Sequence, residues 1–200
     1  MATVVWSDVQ RIRSRSYLCA YCGRDIATDR GYEGELSEHD PGIGTVTTPL
    51  AIALCHHCDL PTFVMKNGQI PAKAFGERVE AVPEDVERLY EEARRCAGQR
   101  NYTAALMVGR KVLMNVAVRH GAEPGKQFAY YVDELEKRGL ITGPMRGWVD
   151  EIRELGNDAN HELPEPTEDQ AKDLVNFVGF LLKVVFEYPS KQRGSAEKRP

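Results

Sequence analysis

Four of the chain's five cysteines fall into two pairs, CAYC (Cys19, Cys22) and CHHC (Cys55, Cys58), and Gly23 directly follows the first pair. Each C-x-x-C turn aims two thiolates at one point, and two such turns supply the four ligands of a tetrahedral zinc ion. The spacing therefore predicts a structural Zn2+ held by Cys19, Cys22, Cys55 and Cys58. Four thiolates close the coordination shell, which leaves no position for a reactive water, so the metal is expected to fold a small segment and not to catalyse. His56 and His57 lie inside the second pair; either can replace a cysteine as ligand, and the spacing favours an outer or exposed role for both. A redox C-x-x-C would need one pair followed by a helix in a βαβ setting, which the sequence does not offer. Cys96 stands alone on an apolar helical face and reads as a buried, inert thiol.

Two further groups carry chemistry. Arg11, Arg13, Arg15 and Arg24 interleave with Tyr17 and Tyr21 and form the one local basic excess in a chain of net charge −4. They are candidate contacts to the phosphates of RNA or DNA, or else a solvated N-terminal segment. The stretch RELGNDANHELPEPTEDQ (Arg153 to Gln170) places Asn157 and His161 four residues apart between two helical patterns. That pair is either half of an active site or a joint in which Gly156 stops one helix, Asn157 caps the next turn and His161 bonds back to a carbonyl.

The elements that must position these residues change character along the chain. The segment between the cysteine pairs, DRGYEGELSEHDPGIGTVTTPLAIAL, reads as turns and short β segments of a zinc-ribbon type. From Pro83 onward helical periodicity takes over. Pro83, Glu84 and Asp85 open a helix faced by Val86, Leu89, Tyr90, Ala93, Cys96 and Ala97 and stopped by Gly98. A second runs from Asn101 to His120, with small residues that admit a close neighbour. A third centres on Phe128 to Leu135, and a fourth starts at Pro144. The last opens on a capping box, Thr167 with Gln170, and runs to Pro189, apolar over more than half its circumference. These patterns predict a mainly α protein, a bundle of about five helices behind a small β module: residues 1–78 zinc-ribbon-like, 79–189 helical, 190–200 a disordered polar tail.

The composition, 42 % hydrophobic and 28 % charged over 200 residues, is that of a globular protein able to bury a core. There is no basic-then-apolar N-terminal leader, and the most apolar run, Phe177 to Phe186, is too short to span a bilayer and contains Lys183. A cytoplasmic protein without a membrane partner is expected, and five cysteines in a reducing compartment are not a disulfide framework.

The order of features, two C-x-x-C pairs, YEEARRC, NYTAALMVGRKVL and IRELGNDANH before a long apolar helix, resembles the bacterial family DUF4145, a domain of unknown function. That family is similar in turn to the HEPN superfamily of helical bundles, many of which dimerise and act as metal-independent ribonucleases in phage defence. The resemblance implies a HEPN-like bundle in a phage-defence or restriction-associated context. Carried over residue by residue, the superfamily's catalytic asparagine and histidine fall on Asn157 and His161, with the histidine moving protons at the ribose and leaving oxygen. Its phosphate-holding arginine falls on Gly156, leaving Arg153, one turn earlier, or Arg110, on the second helix, as the remaining candidates.

Three functions follow. The first, favoured by the cysteine pairs and the missing arginine, is a non-catalytic zinc-containing module that binds nucleic acid or protein, a homodimer through its last helix. The second is a HEPN-like endoribonuclease using His161, Asn157 and Arg153. The third is an accessory or antitoxin-like subunit of a partner protein encoded nearby.

Overall fold

A computed structural model describes residues 5–154 and 165–196, and the chain divides into two compact units, Met1–Lys73 and Ala74–Pro200. The first unit is a five-stranded antiparallel sheet in which every strand lies beside its successor: β1 Gln10–Leu18, β2 Asp25–Asp40, β3 Gly44–Leu54, β4 Pro61–Met65 and β5 Gly68–Ile70. The expectation of a mainly α chain with a small β module is therefore overturned. The protein is α+β, and β2 and β3 run for 16 and 11 residues where short segments were expected.

The reason lies in how glycine and proline act here. Gly31, Gly34, Pro41, Gly42 and Gly44 read as punctuation, yet only the tip turns, where Asp40 Oδ1 accepts the Gly42 N–H at 2.7 Å and the Ile43 N–H at 3.0 Å. Gly31 stays in the strand because the neighbouring strand comes too close for a side chain: a Cβ there would sit 2.0 Å from the Ile52 carbonyl oxygen. Backbone cannot yield as a side chain does. Gly31→Ala is expected to destabilise this unit by about 1–3 kcal/mol, seen as faster amide exchange across β2 and β3 with the helices of the second unit unaffected; unchanged exchange would mean that the strands part freely at this point.

The pairing is uneven along the two long strands. β1 accompanies β2 only as far as Gln10 opposite Gly31, and β4 accompanies β3 only from Val64 opposite Ala51. Beyond those points, among the described residues, Gly34–Asp40 and Gly44–Leu50 pair only with each other, as a two-stranded ribbon. Every residue from Glu33 to Asp40 is exposed. β1 itself is bulged between Arg11 and Arg15. The core under the sheet is small, consisting of Ile12, Tyr17, Cys19, Ile26, Ala51, Ala53 and Cys55.

The second unit holds α1 Glu84–Gly98, α2 Tyr102–Arg119, α3 Phe128–Lys137, α4 Gly143–Glu154 and α5 Glu168–Leu182; a π turn, Lys183–Glu187, then leads into α6, Tyr188–Ala196. Pro83 and the acids Glu84, Asp85 and Glu87 start α1, and the Thr167–Gln170 capping box starts α5 through reciprocal bonds of 2.9 and 3.3 Å. α5 packs on α1, α2 and α4, burying Leu174, Val175, Phe177, Val178, Leu181 and Leu182. Gly109 of α2 admits Leu174, whose Cδ2 would lie 2.7 Å from a Cβ at that position. From the start of α5 to Tyr188 the exposed described residues are Asp169, Asp173, Asn176, Phe180, Val184 and Tyr188, a single line.

The segment from Ser190, expected to be a disordered tail, is helical as far as Ala196. In the π turn the Tyr188 N–H reaches back to the Lys183 carbonyl, shifting the register just ahead of Pro189, which has no N–H to donate. No described helix is long and apolar enough to cross a membrane.

Two charged residues are buried among the described residues of this unit, Arg94 and Glu187; Glu187 accepts from the Glu80 N–H at 3.0 Å and from Lys191 at 2.7 Å. Arg94 of α1 donates from Nε to the Phe75 carbonyl at 2.9 Å, from Nη2 to the Gly76 carbonyl at 2.7 Å and from Nη1 to Glu91 at 2.7 Å. The Phe75 N–H returns to the Arg94 carbonyl at 3.0 Å. Arg94 thus fastens the segment that leads into the helices.

Candidate metal centre

β1 and β3 flank β2 and run in the same direction, so the turns that follow them, Cys19 to Arg24 and Cys55 to Leu60, emerge at the same end of the sheet. The two turns repeat one hydrogen-bond pattern. Gly23 N–H donates to the Cys19 carbonyl at 2.8 Å and Asp59 N–H to the Cys55 carbonyl at 2.9 Å; Cys19 N–H donates to Arg24 and Cys55 N–H to Leu60, at 2.9 and 3.1 Å. Closing such a turn requires a left-handed residue after the second cysteine, met by Gly23 at φ 68° and by Asp59 at φ 54°. Aspartate is among the few side-chain-bearing residues that accept this region.

The turns bring all four thiols together, with the sulfurs of Cys19, Cys22, Cys55 and Cys58 within 4.8 Å of one another. The Cys19–Cys58 and Cys22–Cys55 sulfurs are 3.7 and 3.8 Å apart. A tetrahedral ion with metal–sulfur bonds of about 2.3 Å has edges of about 3.8 Å, so these two edges match a four-thiolate metal and the remaining sulfurs lie close enough to complete one. Cys19 and Cys55 are buried, while Cys22 and Cys58 are partly exposed. The His57 N–H lies 3.4 Å from Cys55 Sγ, and the rings of His56 and His57 are exposed and take no part in the cluster.

Burial pushes the Cys58 thiol up to about 12 and the Cys22 thiol upward as well. At Cys55 burial opposes ionisation too, but the amides of Cys58 and His57 and the neighbouring thiols turn the shift downward. Metal uptake must therefore displace protons from Cys22 and Cys58, and apparent affinity is expected to fall as pH falls. Competition with a chromophoric chelator at pH 8 and pH 6 checks this, with equal affinity at both as the contrary result.

Residues without a motif surround the cluster. Tyr17, two before Cys19 and buried with it, has its hydroxyl pushed to about 12 by burial and then by Cys55. Its oxygen and that of Thr62 are both buried and neither meets hydrogen-bond geometry. Tyr17 is thus a core residue beside the sulfurs and offers no ring to a nucleobase. Trp6 donates from Nε1 to the Asp59 carbonyl at 2.7 Å and meets the Tyr32 ring at 6.5 Å. The period-two position of Tyr17 was a readable signal; for Trp6 and Thr62 there was none.

Three of the four arginines, Arg11, Arg13 and Arg15, lie at the bulge of β1, and Arg24 lies past the other end of that strand. Arg11 pairs with Asp29 at 2.9 Å, and Arg15, with a side chain only 21 % exposed, lies 3.8 Å from Glu33. Arg13 is exposed, and its backbone N–H donates to Glu33 at 3.0 Å. Arg24 is exposed at the end of the first cysteine turn. Arg13 and Arg15 line a cleft of about 290 Å³ together with Glu33, Glu35 and Leu50, so positive and negative groups share its walls. In the helical unit, Arg110 lies over the Phe128 ring at 4.3 Å, and Cys96 packs partly buried on the core, its thiol pushed up by burial. Arg153 belongs to α4, but its side chain, with Gly156, Asn157 and His161, lies outside the described residues.

A family model described as Domain of unknown function (DUF4145) matches residues 91–199, more than half of the chain. The chain belongs to this family. The DUF4145 match begins inside α1 and takes in α2 to α6, so the sheet and its four cysteines lie outside it. No curated protein and no solved structure matches the chain.

Proposed function

We propose that the protein is a non-catalytic binding module in which zinc, held by Cys19, Cys22, Cys55 and Cys58, fixes the sheet as a recognition surface. The observation that carries this is the pair of sulfur–sulfur distances, 3.7 and 3.8 Å, on two turns of matching hydrogen bonds. Between the two partner classes, the charges support a protein. Arg11 and Arg15 already face Asp29 and Glu33, and Glu35 shares the Arg13 cleft, which disfavours a run of phosphates. The exposed line Phe180, Val184 and Tyr188 supports a homodimer contact along α5 and α6. The phage-defence or restriction-associated setting rests on the resemblance alone.

Purified protein is expected to carry one zinc per chain by elemental analysis and to leave a labelled RNA pool intact in EDTA. Metal-free protein with a folded sheet would overturn the zinc reading. RNA cleavage that His161→Ala abolishes would replace the non-catalytic reading with a ribonuclease.

A further inference from the structure

Where the ribbon arm leaves the sheet, the cleft of about 290 Å³ gathers Arg13, Arg15, Glu33 and Glu35, and the four are unequally engaged. Glu33 Oε1 accepts the Arg13 backbone N–H at 3.0 Å and lies 3.8 Å from Arg15 Nη2, an ion-pair contact too long for a hydrogen bond. The Nε of Arg15 is buried without a partner. Among the described residues, the Arg13 guanidinium and the Glu35 carboxylate have no hydrogen-bond or ion-pair partner. An orphaned buried N–H on a charged group is costly, and no hydrogen bond to a described residue holds the Arg15 fork in place. β1 is bulged between Arg11 and Arg15, the kind of irregularity that re-aims side chains beside functional sites.

The balance of charge selects the guest. Two arginines and two glutamates cancel, so a phosphate or a run of phosphates would meet two carboxylates wherever it met two guanidiniums. A molecule carrying both signs meets neither objection: its carboxylate matches the planar forks of Arg13 and Arg15, and its ammonium matches the unpaired Glu35. The cleft is at the small end for ligand pockets, room for a molecule of amino-acid size, with Pro49 and Leu50 in its walls. We infer that the cleft binds a small zwitterion, an amino acid or a close analogue, with its carboxylate on Arg13 and Arg15 and its ammonium on Glu35. Glu33 is a positioning residue that steadies the bulge through the Arg13 N–H. This ligand is additional to the protein partner proposed above, and its site uses the metal only in so far as the sheet must be folded.

The test titrates the full chain, as purified with its metal, and follows backbone amide shifts by nuclear magnetic resonance. The probes are α-aminobutyrate and γ-aminobutyrate, zwitterions of the same atoms that differ in charge spacing, with butyrate, butylammonium and inorganic phosphate beside them. At least one zwitterion is expected to saturate shifts at Arg13, Arg15, Gly34 and Glu35, with a Kd at least about tenfold below those of butyrate and butylammonium, since each singly charged analogue forfeits one charge-assisted contact. Arg13→Gln is expected to raise that Kd by at least about tenfold. Glu35→Gln is expected to weaken the zwitterion and strengthen butyrate, a reversal that a merely structural role for Glu35 would not produce; zinc content and circular dichroism should stay unchanged in both variants. No saturation by either zwitterion, phosphate or butyrate binding as tightly as the zwitterion, or affinities indifferent to the two substitutions would each overturn the inference.

Discussion

Replacing Cys55 by serine is expected to strip the metal and melt the sheet while the helices survive. Cys55 is buried and belongs to both a sulfur pair and the hydrogen-bonded turn. The core it shares is seven residues, two of them alanines and two of them cysteines, too little apolar surface to offset the entropy of ordering some seventy residues. Structural zinc contributes about 10–16 kcal/mol in the smallest metal-folded domains at neutral pH, so its loss exceeds what such a core can absorb. Amide exchange should show β1 to β5 unprotected and α1, α2 and α5 still protected, in Cys55→Ser and in chelator-treated protein alike. Protected strands in a metal-free sample would mean that the sheet stands on its own side chains.

Arg94→Ala carries the second large effect, in the other unit. Arg94 is 7 % exposed and its guanidinium serves two carbonyls and a carboxylate, so its removal leaves Glu91 and the Phe75 and Gly76 carbonyls without their donor. Breaking a buried pair from one side costs about 3–5 kcal/mol. A urea midpoint followed by helical circular dichroism should fall accordingly, and Arg94→Met with Glu91→Gln should recover part of the loss, because the stranded charge is then gone. An unchanged midpoint for Arg94→Ala would mean that water replaces the guanidinium at no expense.

The helices were legible because their signals are local. Proline and acids at Pro83 to Asp85 and the Thr167–Gln170 box each act within one turn, and the structure places α1 and α5 where those residues ask for them. The cysteine cluster was legible for the same reason: each pair is one turn, and a four-thiolate shell limits where the two turns can meet. What escaped was set by partners distant in sequence. Gly31 looks like a turn residue until Ile52 lies against it, and Arg94 looks like surface charge until Phe75 and Gly76 return to it. Pro189 reads as a stop, but the π turn before it lets the helix continue. The mainly α expectation failed on the first of these, since the length of β2 and β3 depends on which residues tolerate a close neighbour.

The four sulfurs join turns that belong to β1 and β3, strands that touch β2 but not each other, and the chain between Cys22 and Cys55 is a closed loop containing the whole ribbon. The entropy of closing a loop grows only with the logarithm of its length, roughly 0.6 kcal/mol for each doubling. Residues added or removed in pairs on either side of the Asp40–Gly44 tip would therefore leave the cysteine cluster nearly indifferent. The reach of the arm is decoupled from the stability of its anchor, and evolution or design can alter one without renegotiating the other.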